Sequence, residues 1–164
     1  MARQKSMKPG FRGRWGWRFI WPWLLVLAVY AVIFWFSAQP GEISDAQSAA
    51  IKGMLGGYEA EWLEVFVRKF AHVSLFFVLG ALAGFAWLRH GGDEPSRYRR
   101  AVLYAVALCA ALAASDEFHQ FFVPGRAALV SDVMLDTASS ALGALCLAGL
   151  AWLRARKNRR RNAE

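Results

Sequence analysis

From Phe19 to Ala38 the chain runs for 20 residues without a charge. At about 1.5 Å of rise per residue, a helix of that length spans about 30 Å, the thickness of the hydrocarbon core of a bilayer. The run is too long for the apolar region of a signal peptide, and the bulky Phe36 stands where cleavage after Ala38 would want a small residue. It therefore reads as a retained transmembrane helix, with Pro22 tolerated in its first turn. Three more apolar runs follow. Phe70 to Leu88 contains only His72 as an ionisable group, Ala101 to Ser115 contains none, and Thr137 to Leu153 contains none. The third is too short to cross unless its helix continues to about Gln120. The expected fold is all-α, an integral membrane four-helix bundle with spans near 19–38, 66–88, 101–120 and 131–153. These make a single domain over 19–153, between basic tails at 1–18 and 154–164.

Between the first two spans, Phe36-Ser37-Ala38-Gln39-Pro40-Gly41 is a helix-breaking segment. Ser44 and Gln47 stand at capping-box spacing, which predicts a short outer-face helix to about Leu55, stopped by Gly56-Gly57. The second long helix is expected from Glu59. Gly80 and Gly84 within it form a small-residue pair suited to close helix approach.

Charge placement sets the expected orientation. The chain carries +8, and 16 of its 20 Lys and Arg lie in three clusters, Arg3 to Arg18, Arg89 to Arg100 and Arg154 to Arg161. All three flank apolar runs on the same side of a four-pass topology, as cytoplasmic flanks do. Both termini are expected in the cytoplasm of a bacterial cell, and the basic balance points to a membrane surface and not to nucleic acid. Cys109 and Cys146 lie inside apolar runs at no paired spacing, which fits small packing residues.

Polar residues gather at the opposite, outer boundary. The second helix brings Arg68, Lys69 and His72. The third brings Asp116, Glu117, His119 and Gln120, with Arg126 in the Pro124-Gly125 turn, and the fourth brings Asp132 and Asp136. Residues three or four apart share a helix face, so these groups can line one polar pocket. Ionisable groups at membrane depth are costly and usually have partners and a purpose. Arg68, Lys69 and Arg126 are the groups to hold an anion, with Gln120 and Asp136 as further ligand-binding candidates. His72, Asp116, Glu117 and Asp132 are the candidate acid–base groups. The same four are residue types that bind a divalent metal, but they match no recognised ligand spacing, and no cofactor is expected. Plainer roles stand beside these. Arg68 and Lys69 can snorkel at a helix end, Arg126 and Asp132 can form an ion pair that fixes the turn, His72 can be a packing residue, and His119 can be incidental at the interface.

Asp116-Glu117-Phe118-His119-Gln120 through Phe122-Val123-Pro124-Gly125-Arg126, with Asp132-Val133 and Asp136-Thr137, resembles the C-terminal signature of the VanZ-like family of small bacterial membrane proteins. Phe36 to Gly41 with Ser44 is similar to that family's N-terminal motif, and Arg68-Lys69 with His72 to its middle one. Asp136 departs from the Asn of many members, and Ala127-Ala128-Leu129 is plainer than usual. The family's name comes from a member associated with resistance to the glycopeptide antibiotic teicoplanin. The resemblance therefore implies a cell-envelope role, while resistance itself does not follow for this chain. The first expectation is a pocket that binds or modifies an anionic envelope component, either a lipid-linked cell-wall precursor or a phospholipid headgroup. A small transporter or proton-coupled channel is a second, in which an oligomer would have to supply the inner half of the path. A structural partner in an envelope complex is a third.

Overall fold

The computed structural model describes residues 15–54, 61–90 and 94–162. The amino-terminal tail to residue 14, the Gly56-Gly57 stop and Glu59 lie outside the described residues. Five helices follow in order: α1 Trp15–Ser37, α2 Gly41–Met54, α3 Glu61–His90, α4 Ser96–Gln120 and α5 Val130–Arg161. Four of them are long and apolar enough to cross a membrane, over Phe19–Ser37, Val65–His90, Ser96–Gln120 and Val130–Arg161. The protein is a multi-pass, all-helical membrane protein, with the short α2 set between the first two spans.

Helix ends differ from the apolar boundaries in three places. The segments 96–100 and 154–161 are helical although strongly basic. Arg and Lys are good helix formers, and at the end of α5 they complement the partial negative charge of the helix terminus. Helix α1 starts at Trp15, so Pro22 lies two turns in and not in the first turn, and it is fully buried. A missing N–H is tolerated in membrane helices where neighbouring groups compensate. Helix α2 begins at Gly41, a turn before the predicted cap, and the Ser44 and Ile43 N–H groups donate to the Pro40 carbonyl.

The connections α3–α4 and α4–α5 are short, so these helices run antiparallel. The end of α1, the start of α3, the end of α4 and the start of α5 meet at one end of the bundle, called here the site end. At the other, basic end, Phe19 and Trp23 of α1 lie against His90 of α3 with ring centroids 4.9 and 6.2 Å apart. Helix α3 is the hub and touches all the others. Its core is built largely from small side chains, including Ala83, Ala105, Cys109, Ala113 and Ala144 around Phe76, Leu79 and Ile33. Large apolar groups such as Leu27, Trp35, Leu103, Leu142 and Leu150 face outward instead. Lipid is as apolar as the core, so helices in a bilayer are held by close packing of small residues and by polar contacts.

The closest packing is along α3 and α5. A Cβ on Gly80 would run into the Ser140 backbone, and one on Gly143 into the Phe77 carbonyl. Gly84 faces Ala144 at ordinary contact, with 3.5 Å to its Cα. Ser139 adds a hydrogen bond from its hydroxyl to the Val73 carbonyl at 2.5 Å. Of the predicted pair, Gly80 thus makes the close approach while Gly84 leaves room for a Cβ, and Gly143 of α5 is the unpredicted counterpart.

Candidate functional site

The breaker segment after α1 and the Val123-Pro124-Gly125-Arg126 turn after α4 dock on each other. The Gly41 N–H donates to the Pro124 carbonyl at 3.0 Å. A Cβ on Gly41 would stand 2.5 Å from the Gly125 carbonyl oxygen, so only glycine allows this approach. Gly125 itself has φ +73, the left-handed region that favours glycine. Arg126 then reaches back across the junction, donating from Nε to the Gln39 carbonyl at 3.2 Å and from Nη2 to the Phe36 carbonyl at 2.9 Å. Carbonyls at a helix C-terminus lack intrahelical donors and attract cations, so Arg126 caps α1. Burial, followed by the nearby positive charge of Arg68, pushes the Arg126 pKa below its ordinary value. A guanidinium stays charged regardless.

Beneath this junction lies a buried polar knot. The Ser37 hydroxyl donates to Asp116 Oδ2 at 2.7 Å, and Gln120 Nε2 donates to the same oxygen at 3.0 Å. Asp116 is only 1% exposed, and among the described residues its Oδ1 has no hydrogen-bond partner. One turn of α4 thus grips the last residue of α1. On the other side of α4, the buried Glu117 accepts the Leu129 N–H at 2.9 Å and so anchors the start of α5.

The remaining candidates form cross-helix pairs. Lys69 of α3 meets Asp132 of α5 at 2.5 Å, and Arg68 meets Asp45 of α2 at 2.7 Å. His72 Nδ1 lies 3.7 Å from Oδ2 of the buried Asp136. The Arg126–Asp132 pair weighed as a plainer role is not formed: Arg126 is held by the carbonyls of α1, and Asp132 pairs with Lys69 across the close α3–α5 packing.

Together these groups enclose a cavity of about 260 Å³ at the site end. Of the nine candidate residues, all but Asp116 line it. Asp116 instead belongs to the wall behind, where it fastens α1. His119 is likewise absent from the lining, with its ring 4.3 Å from that of Phe34. Three cations, Arg68, Lys69 and Arg126, are balanced by the carboxylates Glu117, Asp132 and Asp136. Val65, Leu129 and Leu135 also line it and are themselves exposed, so a polar interior opens past an apolar lip. Among the described residues, no three His, Cys, Asp or Glu side chains converge into a set that could hold a metal ion.

Two partners escaped sequence reasoning. Ser37 was visible as a hydroxyl at the end of an apolar run and as a member of the Phe36 to Gly41 motif, but neither signal named Asp116 as its partner. Asp45 carried no signal of its own, since pairing with Arg68 depends on where α2 lies.

Comparison with curated proteins gave no match, and neither did comparison with solved structures. The model of the VanZ/LLP1 family matches residues 21–153, which reaches into all four spans and takes in every residue of the cavity. The chain therefore belongs to the VanZ-like family.

Proposed function

We propose that the site-end cavity binds the headgroup of an anionic cell-envelope lipid, either a lipid-linked cell-wall precursor or a phospholipid. The observation that carries this reading is the amphiphilic form of the cavity, with ionisable groups inside and Val65, Leu129 and Leu135 at the lip. A charged headgroup fits the interior while its chain follows the exposed apolar side of α3 and α5. Lys69 is the anion-binding group: its side chain is 40% exposed, and its ammonium can turn from Asp132 to a phosphate oxygen. His72 and Asp136, on the deeper side, orient the headgroup, and with Glu117 they are the candidates for proton transfer if it is modified. The basic clusters at the other end favour a cytoplasmic position for both termini, which turns the cavity toward the outer leaflet of the bacterial cytoplasmic membrane.

A one-ended cup also favours binding over conduction. The buried polar side chains among the described residues, from Ser37 and Ser44 through Asp116, Glu117, Gln120 and Asp136 to Ser139 and Ser140, all belong to the site-end half of their helices. The test is mass spectrometry of lipids retained by gently purified protein, comparing the wild type with Lys69→Gln and His72→Gln. A phosphate-bearing lipid should be retained by the wild type and reduced about tenfold in Lys69→Gln, as expected for losing a charged hydrogen bond. Identical lipid profiles in all three proteins would sink the proposal.

A further inference from the structure

The basic end carries a second cavity, separate from the first. It measures about 280 Å³ and lies between the start of α4 and the end of α5, where Arg97, Tyr98, Trp152, Arg156 and Arg159 line it. We infer that it is a binding site for the phosphate of an anionic glycerophospholipid in the leaflet at that end. Three observations lead there.

The first is charge. Whereas the site-end cavity balances its cations with carboxylates, this one is lined by three arginines and no acid. The neighbouring Glu94 lies 3.6 Å from Arg100, which does not line the cavity. Among the described residues, Arg156 and Arg159 have no ion-pair partner. The second is preorganisation. The Arg97 guanidinium lies 4.9 Å from the centroid of the Tyr98 ring and donates to its hydroxyl at 3.0 Å, and Arg156 lies 5.4 Å from the Trp152 ring. Stacking restricts two flexible side chains before a ligand arrives, which lowers the entropic cost of binding. The third is depth. The charge-free part of α4 starts at Ala101 and that of α5 ends at Leu153, so Arg97 and Arg156 stand about 6 and about 4.5 Å of helix beyond the charge-free runs. That is headgroup level, where Trp and Tyr also concentrate and where basic pockets between helices take up anionic lipids.

The experiment uses the full chain, delipidated in a nonionic detergent, and follows its thermal unfolding. The titrants are dioctanoyl phosphatidylglycerol, dioctanoyl phosphatidylcholine and glycerol 3-phosphate. Phosphatidylglycerol should raise the melting temperature in a saturable way, and the other two should raise it little. The double variant Arg156→Gln/Arg159→Gln should bind phosphatidylglycerol roughly tenfold or more weakly. Arg154→Gln/Arg161→Gln removes the same charge outside the cavity and should bind as the wild type does. An equal response to phosphatidylcholine would overturn the inference by making the site an uncharged groove. An equal response to glycerol 3-phosphate would overturn it by making the ligand a free phosphate ester. Equal weakening in both double variants would reduce the effect to diffuse basic charge. Because no residue is shared with the site-end cavity, loss here should leave the lipid retained through Lys69 unchanged.

Discussion

Gly143→Ala is expected to destabilise the bundle by about 2–3 kcal/mol, as is Gly80→Ala on the facing helix. The Cβ added at Gly143 would fall on the Phe77 carbonyl, which is backbone and cannot rotate away. Helices α3 and α5 must then separate, and with them the Lys69–Asp132 and His72–Asp136 pairs that span the cavity. Two other glycines act as controls. At Gly84 the same Cβ makes ordinary contact with Ala144, and at Gly149 it meets nothing within 4 Å. Alanine at either position should be neutral or stabilising by up to about 1 kcal/mol through helix propensity. Unfolding of these variants in one detergent supplies the check. A Gly143→Ala protein as stable as Gly149→Ala would mean that α3 and α5 do not touch along this line.

The second large effect is expected at Asp116. Alanine there removes the acceptor for Ser37 and Gln120 and leaves two buried donors underserved, for about 2–3 kcal/mol. Asparagine keeps one acceptor oxygen and should lose less. The Ser37→Ala/Asp116→Ala double mutant should cost less than the sum of the single changes, by about 1 kcal/mol, since one hydrogen bond is lost in both. Strict additivity in that cycle would show that α1 is not held through Asp116.

The number of crossings and the end at which the polar residues gather were legible because both depend on the spacing of charges along the chain. What was not legible depends on register between helices. Arg126 and Asp132 look like natural partners six residues apart. Yet the approach of Gly80 and Gly143 sets α3 and α5 so that Lys69 reaches Asp132, while the turn delivers Arg126 to the carbonyls of α1. Asp116 was expected among the cavity groups, and its neighbours Glu117 and Gln120 are there. Its own side chain points to the end of α1, a placement that no local pattern encodes. Helices run past the apolar boundaries for a simpler reason. Polarity marks where hydrocarbon ends, whereas Arg and Lys after Leu153 are as fit for a helix as the residues before it.

Arg126 lines the cavity and also caps α1, and Gln120 both lines it and holds Asp116. If the cavity binds the proposed headgroup, its occupancy and the docking of α1 are linked equilibria. A ligand that binds Arg126 or Gln120 in the position that α1 docking gives them favours the docked form, and by reciprocity docking raises the affinity for that ligand by the same factor. Loosening α1 with Ser37→Ala, a residue that no ligand in the cavity would contact, should weaken binding there without removing any contact. The first span would thereby act as an effector of the proposed site as well as an anchor in the membrane.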